Sequence, residues 1–375
     1  MKFTCLQENL VRGLSIVGRA VSVKNSLPVL SNVLIQTDSG RLKLSATNLE
    51  TSITTWIGAS VDEDGAITVP SRLLYEFVSN LPPASIAGEL DGTTLKLKSD
   101  KASSRFNGVE ASEFPEIPDD SEGLHLSIDP KIFSEAVLES AFAAAFDESR
   151  PVLTGVLVTL DKNSLSLVGV DGFRLAQRLV ALDGKSVKKT FSAVIPAKTL
   201  LEIARLVSSF EGSLDISLNK DGNLVVFTIG DVFISLRTID GEFPEYKKLI
   251  PEKSKGTTSA KVSSKDFVNA LKLANVFAKE ALSVVKIKVS PKDGAIYVLS
   301  SSSELGENNS RVEAEVDGKE LETAFNSKFI LDALGNIKSE EFMLEFPENI
   351  GPGVPGVLRP MGRDNHLYLV MPLQY

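Results

Sequence analysis

The sequence predicts an α+β protein of three similar units, each with two helices packed on antiparallel sheets. Internal repetition is the first observation. "LPVLSNVLIQTDSGRLKLSATNLE" (27–50) and "RPVLTGVLVTLDKNSLSLVGVDGF" (150–173) share a Pro-Val-Leu start, a small polar pair, an alternating strand, a turn and a second strand. The second observation is the order of helices. "NLVRGLSIVGRAV" (9–21) and "IFSEAVLESAFAAAF" (132–146) precede those segments, and a weaker third copy runs from "DFVNALKLANVFA" (266–278) into "LSVVKIKVSPKDGAIYVLSSSS" (282–303). A second helix follows in each unit: "VPSRLLYEFV" (69–78), "IPAKTLLEIA" (195–204) and "FNSKFILDAL" (325–334). The third is strict alternation in "LDISLNKDGNLVVFTIGDVFISLRTI" (214–239), with turns at Asp221-Gly222 and Gly230-Asp231, which spells a meander. "GELDGTTLKLKSDKASSRFNGVE" (88–110) repeats that pattern. Proline-bearing loops, "SEFPEIPDD" and "GEFPEYKKLIP", suit linkers because proline cannot donate to a ladder. Boundaries are expected near residues 122 and 253, giving domains over 1–122, 123–253 and 254–375.

Composition narrows the function. The 375 residues are 43% hydrophobic without a long apolar run, and "MKFTCLQENL" lacks a signal-peptide core, so a cytoplasmic globular protein is expected. Cys5 is the one cysteine and sits in an alternating run, which reads as a strand residue rather than a nucleophile. Two histidines, His125 in a strand-like run and His366 in an expected turn, are too few for a histidine-based metal site; no metal or cofactor is expected. A net charge of −9 argues against general coating of nucleic acid but leaves room for a local basic surface.

Such a surface is written into the helices. Arg72, Lys198 and Lys328 hold one equivalent position near the start of each second helix. The helix dipole disfavours a cation there by roughly 0.3–1 kcal/mol, so helix stability does not explain the choice. Arg12 and Arg19, Lys198 and Arg205, and Lys265, Lys272 and Lys279 recur at intervals of seven residues, nearly two turns, and line one helical face in each case. Glu135 and Glu139 break the pattern in the second unit. The plain alternative is a solvated amphipathic face; recurrence in an acidic chain favours non-specific contact with phosphates.

"VPSRLL" (69–74), "VDGFRLA" (170–176), "DGEFPEY" (240–246) and the ending "LYLVMPLQY" (367–375), in this order over the whole chain, resemble the bacterial DNA polymerase III beta subunit family, the sliding clamps. The resemblance implies three DNA-clamp domains per chain, two chains joined head to tail into a closed ring, helices lining the hole and duplex DNA passing through it. The pore would be lined by Arg12, Arg19, Lys24, Arg72, Arg150, Lys198, Arg205, Lys265, Lys272, Lys279 and Lys328. It also implies a pocket for short apolar peptides carried by the replicative DNA polymerase, the clamp loader, translesion polymerases, mismatch repair proteins and DNA ligase. By matched position the pocket uses Leu153, Val170, Gly172, Phe173, Arg174, Leu175, Pro244, Lys248, Leu249, Asn326, Phe329, Val354, Leu369, Val370, Met371, Pro372 and Leu373. Val170 and Phe173 stand where the family often has threonine and histidine, and Lys248 where it has arginine, which implies a more apolar pocket; Tyr375 stands at the rim where the family ends in an aliphatic residue. For the homodimer interface the resemblance points to Phe106 in "SSRFNG" meeting Val276 and Phe277, and for localisation to the cytoplasm, at the nucleoid during replication.

Two other classes compete. A hydrolase or transferase using Asp171 and Arg174 would need a nucleophile, a second acid or base, or a metal set beside them; the sequence offers no glycine-rich phosphate loop and no serine-histidine-acid set at local spacing. A repeat scaffold that binds peptides but not DNA is the other. The glycine- and proline-rich stretch 346–366 is expected to be a mobile loop.

Overall fold

The computed structural model describes residues 1–21, 27–118, 124–182, 190–252, 256–278, 282–304, 306–351 and 353–374. The expected boundaries at 122 and 253, together with Lys24, Lys279 and Tyr375, lie outside the described residues. One order of elements occurs three times: strand, helix, four strands, helix, three strands. The first pass comprises β1 (Lys2–Leu6), α1 (Gln7–Val17), β2 (Asn32–Asp38), β3 (Arg41–Thr47), β4 (Thr51–Glu63), β5 (Ala66–Pro70), α2 (Ser71–Ser79), β6 (Ser85–Asp91), β7 (Thr94–Lys98) and β8 (Ser103–Asn107). The second comprises β9 (Leu124–Ile128), α3 (Pro130–Ala141), β10 (Gly155–Leu160), β11 (Ser164–Val170), β12 (Arg174–Ala181), β13 (Phe191–Pro196), α4 (Ala197–Val207), β14 (Leu214–Leu218), β15 (Leu224–Ile229) and β16 (Val232–Arg237). The third comprises β17 (Thr258–Ser263), α5 (Ser264–Ala278), β18 (Val284–Ser290), β19 (Ala295–Ser302), β20 (Gly306–Asp317), β21 (Leu321–Asn326), α6 (Ser327–Asn336), β22 (Glu341–Phe346), β23 (Gly356–Pro360) and β24 (His366–Val370).

The chain forms two compact units. One, Met1–Lys131 with Arg205–Thr238, holds an antiparallel sheet in the order β8-β7-β6-β1-β4-β16-β15-β14-β9, with β3, β2 and β5 continuing from β4. In it α1 buries Leu10, Leu14 and Val17, and α2 buries Leu74 and Val78, at the spacing that puts each set on one helical face. Cys5 is buried in β1, and burial pushes its thiol up to about 12, which keeps it protonated and unreactive.

The other unit, Ile132–Ala204 with Ile239–Tyr375, holds the sheet β13-β10-β11-β12-β24-β23-β22-β17-β20-β19-β18-β21. Its largest core gathers Phe267, Leu271, Ala274 and Ala278 of α5 with Phe325, Phe342 and Tyr368. A second cluster joins Val168, Val170 and Leu175 to Tyr246, Val357, Leu367 and Leu369. Each fully buried leucine or valine contributes roughly 1.5–3 kcal/mol.

Several expectations need correction. Within 346–366, Gly356–Pro360 is the strand β23, paired to β22 on one side and β24 on the other. Glycine and proline mark the turns around it, while in "GVLRP" every residue but Arg359 is buried. His366 is not in a turn: it opens β24 and is buried. Arg19 lies in a 3-10 turn after α1, and α3 stops at Ala141 rather than 146.

Candidate functional site

The turn between β11 and β12 is built by its own side chain. Asp171 Oδ1 accepts hydrogen bonds from the backbone amides of Phe173 (2.8 Å) and Arg174 (2.9 Å), and the Asp171 amide donates to the Arg174 carbonyl. Gly172 takes φ +95°, a conformation that costs a side-chain-bearing residue roughly 1–2 kcal/mol. The turn thereby holds Phe173 outward, 54% exposed, with its ring stacked 6.3 Å from that of Phe329 on α6. Asn326 fixes the start of α6 by accepting from the Lys328 amide.

The tail closes the other side. Tyr368 is buried in β24 and donates its hydroxyl to the Phe329 carbonyl; burial raises its pKa far above the ordinary phenol value. Past β24, the Met371 amide donates to the Phe173 carbonyl and the Leu373 amide to the Ala324 carbonyl, both 2.8 Å. Phe173, Phe329, Met371, Pro372 and Leu373 are thus brought together, half-buried or exposed, with the Asp171 turn. This is an apolar surface with few polar groups, suited to an apolar peptide rather than to bond-breaking chemistry.

Other pocket residues behave differently. Leu153, Val170, Leu175, Leu369 and Val370 are buried in the unit's cores, where they support the surface without presenting themselves at it. Pro244, Lys248 and Leu249 are exposed on the segment whose Tyr246 anchors in the second cluster, and Lys248 pairs with Glu245. Val354 is half-buried and bonded to Gly351.

Arg174 is the largest correction within the site. Sequence places it on the pocket wall, but its side chain is only 5% exposed. Nε reaches Asp171 Oδ2 at 2.9 Å, Nη1 reaches Asp332 Oδ2 at 2.6 Å, and Nη2 donates to the Phe142 carbonyl at 3.0 Å. Its guanidinium also lies 4.8 Å from the Phe329 ring centroid. Arg174 therefore sets Phe329 and the turn in place and offers no donor face to a ligand. Asp332, which sequence reading missed, is visible only as an acid one turn after Phe329 on α6. Asp171 and Arg174 neutralise each other in a structural pair, and no metal-capable group of histidine, cysteine or acidic residues occurs among the described residues.

The basic residues divide too. Arg12, Arg19, Arg72, Lys198, Arg205, Lys265, Lys272 and Lys328 are all exposed. Arg72 pairs with Glu76 within α2 at 2.9 Å, and the guanidinium of Arg12 lies 5.7 Å from the Phe210 ring centroid. Arg150, also exposed, stands off the helices: its Nη2 donates to the Asp171 carbonyl beside Gly172. Glu139 is not a solvated helix residue. It is buried beneath Arg178 and Arg363.

At the expected dimer interface, Phe106 is buried edge-to-face against Phe77 of α2, ring centroids 5.4 Å apart, so it belongs to the core of its own unit. Val276 on α5 is 57% exposed and Phe277 half-buried, and the neighbouring Leu273, which sequence reading passed over, is also 57% exposed.

A threefold repeat of one α+β plan, whose second unit gathers half-buried and exposed apolar side chains around the Asp171 turn, has the build of a binding protein. Comparison with known proteins gives the family. The DNA polymerase III beta subunit models match three times: the N-terminal domain over residues 1–118, the central domain over 127–245 and the C-terminal domain over 247–374. The beta sliding clamp of Synechococcus elongatus is 31% identical, covering 100% of this chain and 99% of that one; that of Bacillus subtilis is 28% identical over the full length of both. A crystal structure of the Bacillus subtilis clamp superposes with a TM-score of 0.94 at 27% identity, covering 100% and 99% of the two chains. A Pseudomonas aeruginosa clamp bound to griselimycin does so at 0.92 and 26%, covering 100% of both. The chain belongs to the DNA polymerase III beta subunit family. Like other members it is a non-catalytic DNA sliding clamp of three domains, a processivity factor rather than an enzyme.

Proposed function

We propose that two copies of this chain close head to tail around duplex DNA, slide along it, and hold partner proteins through short apolar peptides docked at Phe173, Phe329 and the Met371–Leu373 tail. The three domains would run over 1–122, 123–253 and 254–375. The observation that carries the DNA reading is the repetition of an exposed cation at the start of each second helix, Arg72, Lys198 and Lys328, in a chain of net charge −9. With Arg12, Arg19, Arg205, Lys265 and Lys272, these contact phosphates without reading bases, and the attraction falls with salt. Lys24 and Lys279 join this set by the family resemblance. Arg150 belongs instead with the peptide surface.

The homodimer reading rests on two open edges. β8 ends its sheet, and Gly306–Val312 of β20 pairs with β19 alone. Arg105 is exposed on β8 and Glu307 on β20, so the two edges are complementary in charge as well as in backbone. Leu273 and Val276 on α5 add apolar area, and Phe106 supports the β8 edge from beneath. The tethered partners are the replicative polymerase, the clamp loader, translesion polymerases, mismatch repair proteins and DNA ligase, and the working place is the cytoplasm, at the nucleoid. Among the described residues no helix is long and apolar enough to cross a membrane.

The test is topological. The protein is loaded on nicked circular DNA, which is then linearised. Retention on the circle with loss from the linear form is expected; equal retention on both forms, or none on either, contradicts encirclement. Replacing Leu273 and Val276 with aspartate should give a folded monomer by sedimentation, and a persistent dimer contradicts the interface.

A further inference from the structure

We infer that Glu139, Arg178 and Arg363 form a positioning clasp that sets the β12–β24 seam, and with it the geometry of the peptide surface. Arg363 grips the Glu139 carboxylate with both ends of its guanidinium, Nη1 to Oε1 at 2.7 Å and Nη2 to Oε2 at 2.8 Å. Arg178 Nε lies 2.9 Å from the same Oε2, and its Nη1 donates to the Leu179 carbonyl at 2.8 Å. Fractional exposures are 6% for the Glu139 side chain, 10% for Arg178 and 26% for Arg363. The His366 ring, wholly buried, packs with Nδ1 3.7 Å from Glu139 Oε2.

The three residues come from three places. Glu139 is on α3, Arg178 is in β12, and Arg363 is in the turn between β23 and β24. The seam itself is five residue pairs, Arg174 with Val370 through to Arg178 with His366. The clasp holds its far end, at Arg178 and His366. Its near end delivers Arg174 and Val370, one residue from Phe173 and Met371 respectively. A strand slipped by one residue would turn every side chain on it to the opposite face. A bidentate arginine-carboxylate pair fixes distance and plane together, so it defines one register where apolar contacts would tolerate several. Burial makes that definition strong: a buried pair stripped of one partner leaves an uncompensated charge, although the intact pair need not add net stability over apolar packing. Glu139 and Arg363 thus act on ligand binding through Phe173, Phe329 and Met371 without touching the ligand.

The inference rests on the peptide-binding reading above, and its test separates the two. Affinity for a labelled synthetic peptide with leucine and phenylalanine anchors is measured for the full chain, for Glu139→Gln, for Arg363→Gln and for the double variant. Amide exchange at Met371 and Leu373 is followed alongside, with β18 and β19 as internal controls. Tenfold weaker binding is expected in each single variant, with the double variant no weaker than the worse single. Exchange at Met371 and Leu373 should rise while β18 and β19 stay protected. Arg363→Lys, which keeps the charge but loses the two-pronged grip, is a milder variant that should lose about threefold. Folded variants that bind within twofold of the parent, or losses that multiply in the double variant, overturn the clasp. If the parent itself binds no peptide, the peptide reading fails, and the exchange pattern alone still decides whether the clasp sets the seam.

Discussion

The molecule contains the same seam twice, and the two copies differ in the side chains that they present. In the first unit β4 pairs with β16; in the second β12 pairs with β24. The backbones agree bond for bond. Asn48 Oδ1 accepts from the amides of Glu50 and Thr51 as Asp171 Oδ1 does from Phe173 and Arg174. Leu49 takes φ +75° where Gly172 takes +95°. The Arg237 amide donates to the Glu50 carbonyl as Met371 does to Phe173, and Trp56 to Asp231 as Leu179 does to Asn365. Side chains are what differ. Phe173, Arg174 and Met371 face Glu50, Thr51 and Arg237 as counterparts, so the first seam lacks the aromatic shelf, the buried cation beneath it and the adaptable methionine. At the offset that relates Asn48 to Asp171, Ile16 and Thr55 stand for Glu139 and Arg178, and a groove of about 280 Å³ opens among Ile16, Thr55, Trp56 and Val232. Geometry shared by repeats provides a frame, and on the proposed reading a handful of substitutions makes the second copy the peptide site.

Importing first-seam residues into the second seam should erase its properties in graded steps. Arg174→Thr has the largest expected effect, about 3–5 kcal/mol of lost stability by chemical denaturation, because Asp171 loses its buried partner and Phe329 its support. An effect below about 1 kcal/mol would mean that the network is ornamental.

His366 comes next. Burial, reinforced by Arg178 and Arg363, pushes its pKa from 6.5 down to about 3. The folded state thus refuses a proton that the unfolded chain accepts. Stability is full above pH 6.5 and falls as pH drops toward about 3, by about 2 kcal/mol at pH 5. His366→Val, the first-seam residue, should flatten that part of the pH-stability curve; an unchanged slope assigns it to other groups.

Phe173→Glu should weaken peptide binding about thirtyfold, roughly 2 kcal/mol. Because Phe173 is 54% exposed, thermal unfolding should barely move. Gly172→Ala, which adds only the Cβ of its first-seam counterpart Leu49, is the smallest step, about 1 kcal/mol, since its φ of +95° is strained for any side chain and an added Cβ would lie 3.2 Å from Arg150 Nη1. Its melting temperature should fall by a few degrees.

Much of this was legible in the sequence. Repetition gave three copies of one helix-strand order, because each copy keeps its own hydrophobic period and turn residues. Asp171-Gly172 in "VDGF" is a turn pair by residue type. What escaped was pairing across long separations. Arg363 lies 224 residues from Glu139 and Asp332 lies 158 from Arg174, and nothing local to either residue announces its partner. Strand β23 escaped because flanking glycine and proline hid five residues whose pairing comes from β22 and β24. The resemblance pointed to Phe106 at the interface, but sequence does not say which way an apolar side chain on an edge strand points; here it packs onto Phe77.

The central claim is that the second seam binds apolar peptide and the first does not. Amide exchange across the whole chain, with and without saturating peptide, tests it directly. Protection confined to residues 171–174, the segment around Phe329, and Met371–Leu373, with residues 48–51 and 237 unchanged, is the predicted result. Equal protection at both seams, or protection at the first alone, would contradict it.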